Sequence, residues 1–291
     1  MKKEMIQVYN QSRKINVNVY QPDSPKFAAI MLHGMSEHSG RYDYFASRLM
    51  DAGGYVLTYD HRGHGIDAEN HGDIDSMDAL VSDALAVAGH LPKDVPNVIV
   101  GHSMGSIVAR QLLAMNQFTR FIIIGSLTKN SFLDILSAGA LLPLSVISPK
   151  SQLEVVNFLA LNVNDKLFNG TEKNRWLSSN EENVKSYNDD PLCGFKMTTK
   201  AIYDTLFYSQ KSLKKSMLAR IKNNPNVLFV SGMDDAINNM GKDIFTLAKN
   251  YNRAVNDVKV HLYPDARHEV LNEKNRDEVI DNIIDWINDN G

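Results

Sequence analysis

The sequence predicts an α/β protein: a mostly parallel sheet with helices on both faces and a helical insertion late in the chain. Three observations carry this. From Phe27 onward, short continuous apolar runs recur, and such runs suit strands buried on both faces. Helical periodicity fills most of the intervals, and strand and helix in alternation imply a parallel sheet with helices on either side. The alternation then lapses for about a hundred residues between "FIIIGS" and "NVLFVSG", where no convincing buried strand occurs.

The first element is "KINVNVYQ". Ile15, Val17 and Val19 fall on one face and Asn16, Asn18 and Tyr20 on the other, which reads as an antiparallel strand with one wet face. The buried runs follow in order: "FAAIMLH", "YVLTYD", "NVIVGH", "FIIIGS", "NVLFVSG" and "VKVHLYP". Between them, Met77, Leu80, Val81, Ala84, Leu85 and Ala88 have the spacing of an amphipathic helix. Val279, Ile280, Ile283, Ile284 and Ile287 give the last helix its apolar face. Residues 128–200 are helical and loop-rich with a polar middle, "NDKLFNGTEKNRWLSSNEENVKSYNDD". They are expected to form a cap on a core made of residues 1–127 and 201–291.

Bulk properties exclude several classes. A chain of 291 residues with 43% hydrophobic content can bury a large core and carry an insertion. A net charge of −3 gives no basic footprint for nucleic acid. Cys193 is the single cysteine, so no intramolecular disulfide forms. "MKKEMIQVYNQSRK" lacks the apolar core of a signal peptide, and "AGALLPLSVI" is too short to span a bilayer. The expectation is a soluble, cytoplasmic protein.

Open parallel sheets bind ligands at the carboxyl ends of their strands. There the sequence places His33-Gly34-Met35, Asp60 to Gly65, Ser103, Met233-Asp234-Asp235, and Asp265 with His268. "GHSMG" has the Gly-x-Ser-x-Gly pattern between strand and helix, a tight turn that exposes a serine hydroxyl. Glycines at 101 and 105 allow close backbone approach, and a helix start there favours a developing oxyanion. Ser103 is therefore the candidate nucleophile and His268, after the last strand, its candidate base. Asp234 and Asp235 are equivalent candidates for the carboxylate that orients the imidazole, and Asp265 is a third. The oxyanion donors expected are the backbone N–H groups of Met104, next to the nucleophile, and Met35 in "HGMSEH". His102 is expected to order the turn, and His33 and His61 to brace loops by hydrogen bonds. A metal reading fails on spacing for His33 and Glu37, and two glycines in "DHRGHG" make Asp60, His61 and His64 a structural turn.

"HGMSEHSGRYDYFASRL", "DHRGHG", "GHSMG", "DDPLCGF", "SGMDDAI" and "YPDARHEVLNE" together resemble the monoacylglycerol lipase and bacterial lysophospholipase group of the α/β-hydrolase superfamily, from about Phe27 to the C-terminus. The resemblance implies an eight-stranded, mostly parallel sheet and a cap after the sixth strand. It implies hydrolysis of a single-acyl ester without metal or organic cofactor. Its Gly-x-x-Asp pattern lands on Gly232 and Asp235 and selects Asp235, and its His-Gly-x-x-Glu-His loop supports Met35. Ala236 stands where the group often has proline, and Asp67 where serine is common.

The expected protein is thus a serine carboxylester hydrolase for a monoacylglycerol or lysophospholipid. Simple carboxylesterases, peptidases and acyltransferases share the same motifs, and a non-enzymatic ligand-binding protein on this fold is the alternative from another class. Phe132, Leu133, Ile135, Leu136, Leu141, Leu142, Val146 and Ile147 form an apolar stretch of the cap. It is expected to line an acyl tunnel, to touch a membrane interface, or to pack the cap on the core. Cys193 falls where the cap returns to the core. No oligomeric state follows from the sequence.

Overall fold

The computed structural model describes residues 2–128 and 141–289. Eight strands form one sheet: β1 (Lys2–Asn10), β2 (Arg13–Gln21), β3 (Phe27–Leu32), β4 (Gly54–Tyr59), β5 (Asn97–His102), β6 (Arg120–Ile124), β7 (Asn226–Gly232) and β8 (Asp257–Tyr263). Their order is β1-β2-β4-β3-β5-β6-β7-β8. β1 pairs antiparallel with β2, and β2 with β4. Every later pair is parallel. The fold is an α/β hydrolase sheet, as expected.

Strict alternation along the central strands divides the core. Ala28, Ile30, Leu32, Ile99, Phe121, Ile123, Val227 and Phe229 face one side. There they meet α2 (Met77–Ala88), α3 (Met104–Leu113) and two later helices, Thr199–Lys211 and Asp243–Tyr251. Phe27, Ala29, Met31, Val98, Val100, Ile122, Ile124, Leu228 and Val230 face the other. That side is covered by α1 (Asp43–Asp51) and the last helix, Arg276–Asp289, through Phe45, Leu49, Val279, Ile280, Ile283, Trp286 and Ile287. A side-chain period of two against a helix period of 3.6 thus gives two layers, one per face.

Two strands differ from the sequence reading. β1 was not anticipated; it is an edge strand whose only buried residue is Val8. The apolar run "VKVHLYP" predicts a strand buried on both faces, yet β8 is half-exposed along most of its length. It pairs only with β7, so half of its surroundings are missing.

The chain leaves β3 toward β4 on one side and returns to β5 on the other. This reversal opens a crevice at the carboxyl ends of β3 and β5, where Leu32 and Gly101 are register partners. Between β6 and β7 lie the helix Leu141–Ile147, short turns over Glu154–Leu167, the helix Glu181–Asp189 and then the helix Thr199–Lys211. Residues of this segment between Glu154 and Lys196 line the crevice.

Candidate active site

Ser103 separates β5 from α3 with φ 51° and ψ −116°, a conformation rare for a residue with a side chain. Its surroundings hold it there. Its N–H donates to Ile124 O at 3.0 Å, and its carbonyl accepts from Ser106 N at 3.0 Å. The glycines make the turn sterically feasible. A Cβ on Gly105 would stand 2.1 Å from Leu32 O, and one on Gly101 would stand 2.4 Å from Gly105 O. Met104 is the first residue of α3, so its N–H belongs to the turn that has no intrahelical acceptor.

His268 lies in the loop after β8, and its Nδ1 is 3.1 Å from both carboxylate oxygens of Asp235. Asp235 follows β7 and is fully buried. Its carboxylate also accepts from Ile237 N at 2.9 Å and Asn238 Nδ2 at 3.1 Å, with the Ser231 hydroxyl at 3.4 Å. Burial opposes an imidazolium at His268, but the charge and hydrogen bond of Asp235 outweigh it and raise the imidazole above its ordinary value. Burial would push the Asp235 carboxyl up, and His268 holds it below the usual range. Of the three carboxylates the sequence offered, Asp235 alone touches His268 among the described residues. Asp234 is partly exposed, and Asp265 is exposed at φ 56°.

The loop after β3 is held from behind by neutral imidazoles. His64 Nε2 accepts from Ser36 N at 3.1 Å, while its Nδ1 faces Arg62 O at 2.8 Å. His33 Nε2 accepts from His61 N at 2.9 Å, while its Nδ1 faces Gly34 O at 2.7 Å. A nitrogen facing a carbonyl carries the proton and one facing an N–H does not, which fixes both tautomers. Burial lowers His33, drives His61 well below its ordinary value and takes His64 to about 3. Gly34 N–H is bound by Glu37 Oε1 at 2.5 Å. Met35 therefore lies between two residues whose N–H groups turn inward, and it lines the crevice. His61 departs from expectation: its ring is buried, and neither nitrogen has a partner among the described residues. Its backbone braces the loop, not its side chain.

His102 does order the turn. Its Nδ1 lies 2.8 Å from Tyr42 OH and 3.2 Å from Glu37 Oε1, and its Nε2 is 3.3 Å from His268 O. Beneath it is an ion network that sequence reasoning missed. Glu37 is buried and would be driven up by burial, but His102 and Arg41 hold it well below the usual carboxylate range. Arg41 Nη1 reaches Glu37 Oε2 at 2.8 Å and Glu269 Oε1 at 2.5 Å, and its Nη2 reaches Glu269 Oε2 at 2.7 Å and Asn183 Oδ1 at 3.0 Å. Glu273 accepts from Ser178 Oγ and Ser179 Oγ at 2.8 Å, Ser179 N at 2.9 Å and Arg267 N at 2.7 Å. The residues on either side of His268 thus grip the segment above the crevice. The signal in sequence was slight: Glu37 sits inside "HGMSEH", and Glu269 follows the base directly.

The crevice contains two cavities. One, of about 260 Å³, is lined by Gly34, Met35, Ser103 and His268 and by polar residues of the overlying segment, including Asn157, Asn162, Asn174, Lys173 and Lys196. The other, of about 50 Å³, is apolar and is lined by Met35, Ser103, Met104, Leu127, Ile202, Leu206, Ile237 and Trp176. A larger groove of about 550 Å³ lies between the β1–β2 hairpin and residues 60–75. Several of its polar side chains are already paired with one another, as in Arg62–Asp75, Asn16–Asp67 and Lys150–Asp73.

The apolar stretch expected to line a tunnel does not line either cavity in its described part. Leu141 is buried, while Leu142, Val146 and Ile147 are exposed. Phe132, Leu133, Ile135 and Leu136 lie outside the described residues. Cys193 is half-buried, and burial pushes its thiol up. It stands with His38 and Asp190 in a cluster of metal-ligand type. His38 Nδ1 accepts from Gly40 N at 3.2 Å, so Nε2 carries the proton and donates it to Asp190 at 2.9 Å. That nitrogen is occupied, and the cluster is a hydrogen-bonded tie.

A hydroxyl on a strained turn, an imidazole in the same crevice and a buried carboxylate on that imidazole's other nitrogen are the groups acyl transfer requires. Similar proteins agree with this architecture. The family model described as "Serine aminopeptidase, S33" matches residues 23–275. A monoacylglycerol lipase of Mycolicibacterium smegmatis is 25% identical over 282 residues, covering 94% of this chain and 92% of that protein. The human monoglyceride lipase is 32% identical over 177 residues, covering 58% of this chain and 53% of that protein. A solved carboxyl esterase of Bacillus coagulans superposes with a TM-score of 0.88 at 23% identity, over 99% of this chain and 97% of that one. With the family model spanning β3 to β8, the crevice and every candidate residue, the chain belongs to the serine aminopeptidase S33 family and, among α/β hydrolases, to the monoglyceride lipase-like group.

Proposed function

We propose that the protein is a serine hydrolase that cleaves the carboxylic ester of a single-acyl lipid, a monoacylglycerol or a lysophospholipid. The observation that carries this reading is the His268–Asp235 pair beside a serine in a strained conformation, in one crevice with a polar and an apolar compartment. Ser103 Oγ attacks the acyl carbonyl while His268 takes its proton. Asp235 keeps the imidazole oriented and balances the imidazolium. The N–H groups of Met35 and Met104 receive the oxyanion. His268 then protonates the departing alcohol, and water, activated by the same imidazole, releases the acid. The acyl chain takes the apolar cavity and the alcohol the polar one.

Of the segment 128–200, the described residues between Glu154 and Lys196 act as a cap, because their side chains supply most of the polar lining of the larger crevice cavity. Leu142, Val146, Ile147, Val155 and Phe158 are exposed on that cap and are suited to brief contact with a lipid surface. The relatives named as monoacylglycerol lipases support a glyceride over a phospholipid.

The test measures hydrolysis of a monoacylglycerol and a lysophosphatidylcholine of matched acyl chain, with Ser103→Ala as the blank. Labelling by a fluorophosphonate is followed in both proteins. Labelled wild type, unlabelled Ser103→Ala and faster cleavage of the glyceride are expected. A folded wild type that neither labels nor cleaves any ester would refute the reading and leave a ligand-binding protein.

A further inference from the structure

One buried cation has no part in the chemistry described so far. Arg110, in the last turn of α3, is 1% exposed and forms no ion pair among the described residues. Its partners are neutral. Nε donates to Tyr251 OH at 3.2 Å, Nη2 to Ser209 O at 2.8 Å, and Nη1 to Leu127 O at 2.7 Å and to Ser126 Oγ at 3.1 Å. A buried guanidinium without a carboxylate is costly, and packing does not call for one here. With a methionine in its place, Leu127 O would keep a donor in Ser209 Oγ at 3.1 Å, and Ser209 O one in Ser212 Oγ at 2.8 Å.

The bond to Ser126 leads to the nucleophile turn. Ser103, Ser106 and Arg110 share one face of α3 by their spacing. Ser126 Oγ lies 2.7 Å from Ser106 Oγ, and Ser106 Oγ hydrogen-bonds to Ser103 O. The ends of this chain fix its direction. A guanidinium only donates, a carbonyl only accepts, and each hydroxyl has one proton. Ser126 therefore accepts from Arg110 and donates to Ser106, which donates to Ser103 O. Hydrogen bonds aligned head to tail behind a cation polarise one another. Ser103 O and Met104 N–H belong to the same peptide unit, and in a planar trans peptide they point in opposite directions. A grip on the oxygen thus aims the N–H. Resting on the oxyanion role proposed above for Met104 N–H, we propose that Arg110 is a positioning residue: through Ser126 and Ser106 it aims and polarises the donor that receives the oxyanion.

The experiment compares wild type, Arg110→Met, Ser106→Ala and the double variant. It measures kcat and KM on a monoacylglycerol, the inhibition constant of a trifluoromethyl ketone that forms an oxyanion adduct, and the thermal midpoint. Each single change is expected to lower kcat by about tenfold with KM unchanged, less than the loss of about 10²–10³ that follows outright removal of an oxyanion donor. The ketone should bind more weakly by the same factor. Arg110 makes no hydrogen bond to Ser106, yet replacing it should have no further effect once Ser106→Ala has cut the chain. Ser126→Ala removes the middle link and leaves Arg110 its bonds to Tyr251, Leu127 and Ser209, so it supplies the comparison should Arg110→Met fail to fold. Unchanged kcat in folded variants, whatever their thermal midpoint, or losses in the two single variants that multiply in the double, overturns the proposal while leaving the esterase reading standing. A wild type without Ser103-dependent hydrolysis defeats both.

Discussion

Replacing Asp235 by asparagine tests the site where its geometry is most specific. The carboxylate is surrounded by donors: His268 Nδ1, Ile237 N, Asn238 Nδ2 and the Ser231 hydroxyl. An amide offers one oxygen and one NH2, and the NH2 would face a donor wherever it pointed. One buried group goes unpaired, which costs about 1–3 kcal/mol of stability. To relieve this, His268 would turn its Nδ1 into an acceptor and move its proton to the nitrogen that must receive the serine proton. Loss of the correct tautomer is worth about 10⁴ in turnover in a triad of this type. The imidazole would also lose the partner that raises it, so any residual activity should titrate at lower pH than in wild type. Ester hydrolysis from pH 5 to 9, with the thermal midpoint as a control for folding, reads all three effects. Turnover within tenfold of wild type, or an equal loss in Asp234→Asn or Asp265→Asn, would refute the reasoning.

Wild-type turnover should fall on acidification with a midpoint above the usual 6.5 of imidazole, because the base is active when neutral and Asp235 raises it; a rate flat down to pH 5 would exclude a histidine base. Stability should fall in the same direction. His33, His61 and His64 are depressed in the fold, so their contribution is full above about 6.5 and is lost below it, at up to about 1.4 kcal/mol per pH unit for each. The raised His268 has the opposite sign and offsets one of the three, which denaturant titrations at pH 7.5 and 5.5 would show as a net loss at the lower pH. Glu37→Gln should cost about 1.5–3 kcal/mol, since Arg41 keeps Glu269 but loses a charged acceptor; an unchanged denaturation midpoint would count against the network. Gly105→Ala should abolish fluorophosphonate labelling, because the added methyl would meet Leu32 O at 2.1 Å, and normal labelling would contradict the turn geometry.

The parts of this protein legible in its sequence are those set by local pattern. α2 spans Met77–Ala88, the residues whose spacing announced it, and the central strands are the continuous apolar runs. β1 was not legible because an exposed edge strand has little need of an apolar pattern. At the site, Ser103 and His268 announced themselves through motif and chain order. Asp234 and Asp235 could not be separated by physical reasoning on the sequence, since adjacent residues differ only in where the backbone sends them. Glu37, Arg41, Glu269 and Glu273 are charged residues of ordinary surface type; nothing local says that folding will bury them against partners as far as 228 positions away. Trp176 lies in a polar stretch with no periodicity, so its place beside the base depends wholly on tertiary structure.

The grip of Arg267, Glu269 and Glu273 on residues 175–183 gives the crevice a hinge side and a door side. Lifting the roof along residues 175–183 would break Glu273 from Ser178 and Ser179 and draw Asn183 from Glu269, on both flanks of the imidazole. Any opening that leaves the base in register must therefore come from a segment outside residues 175–183. The chain over Phe158–Asn162 also borders the crevice; it winds as a single π-turn, and none of its five residues is buried. Movement of that turn alone would leave Glu269 and Glu273 bound to residues 178–183, so the proton-transfer geometry would stay assembled through each turnover.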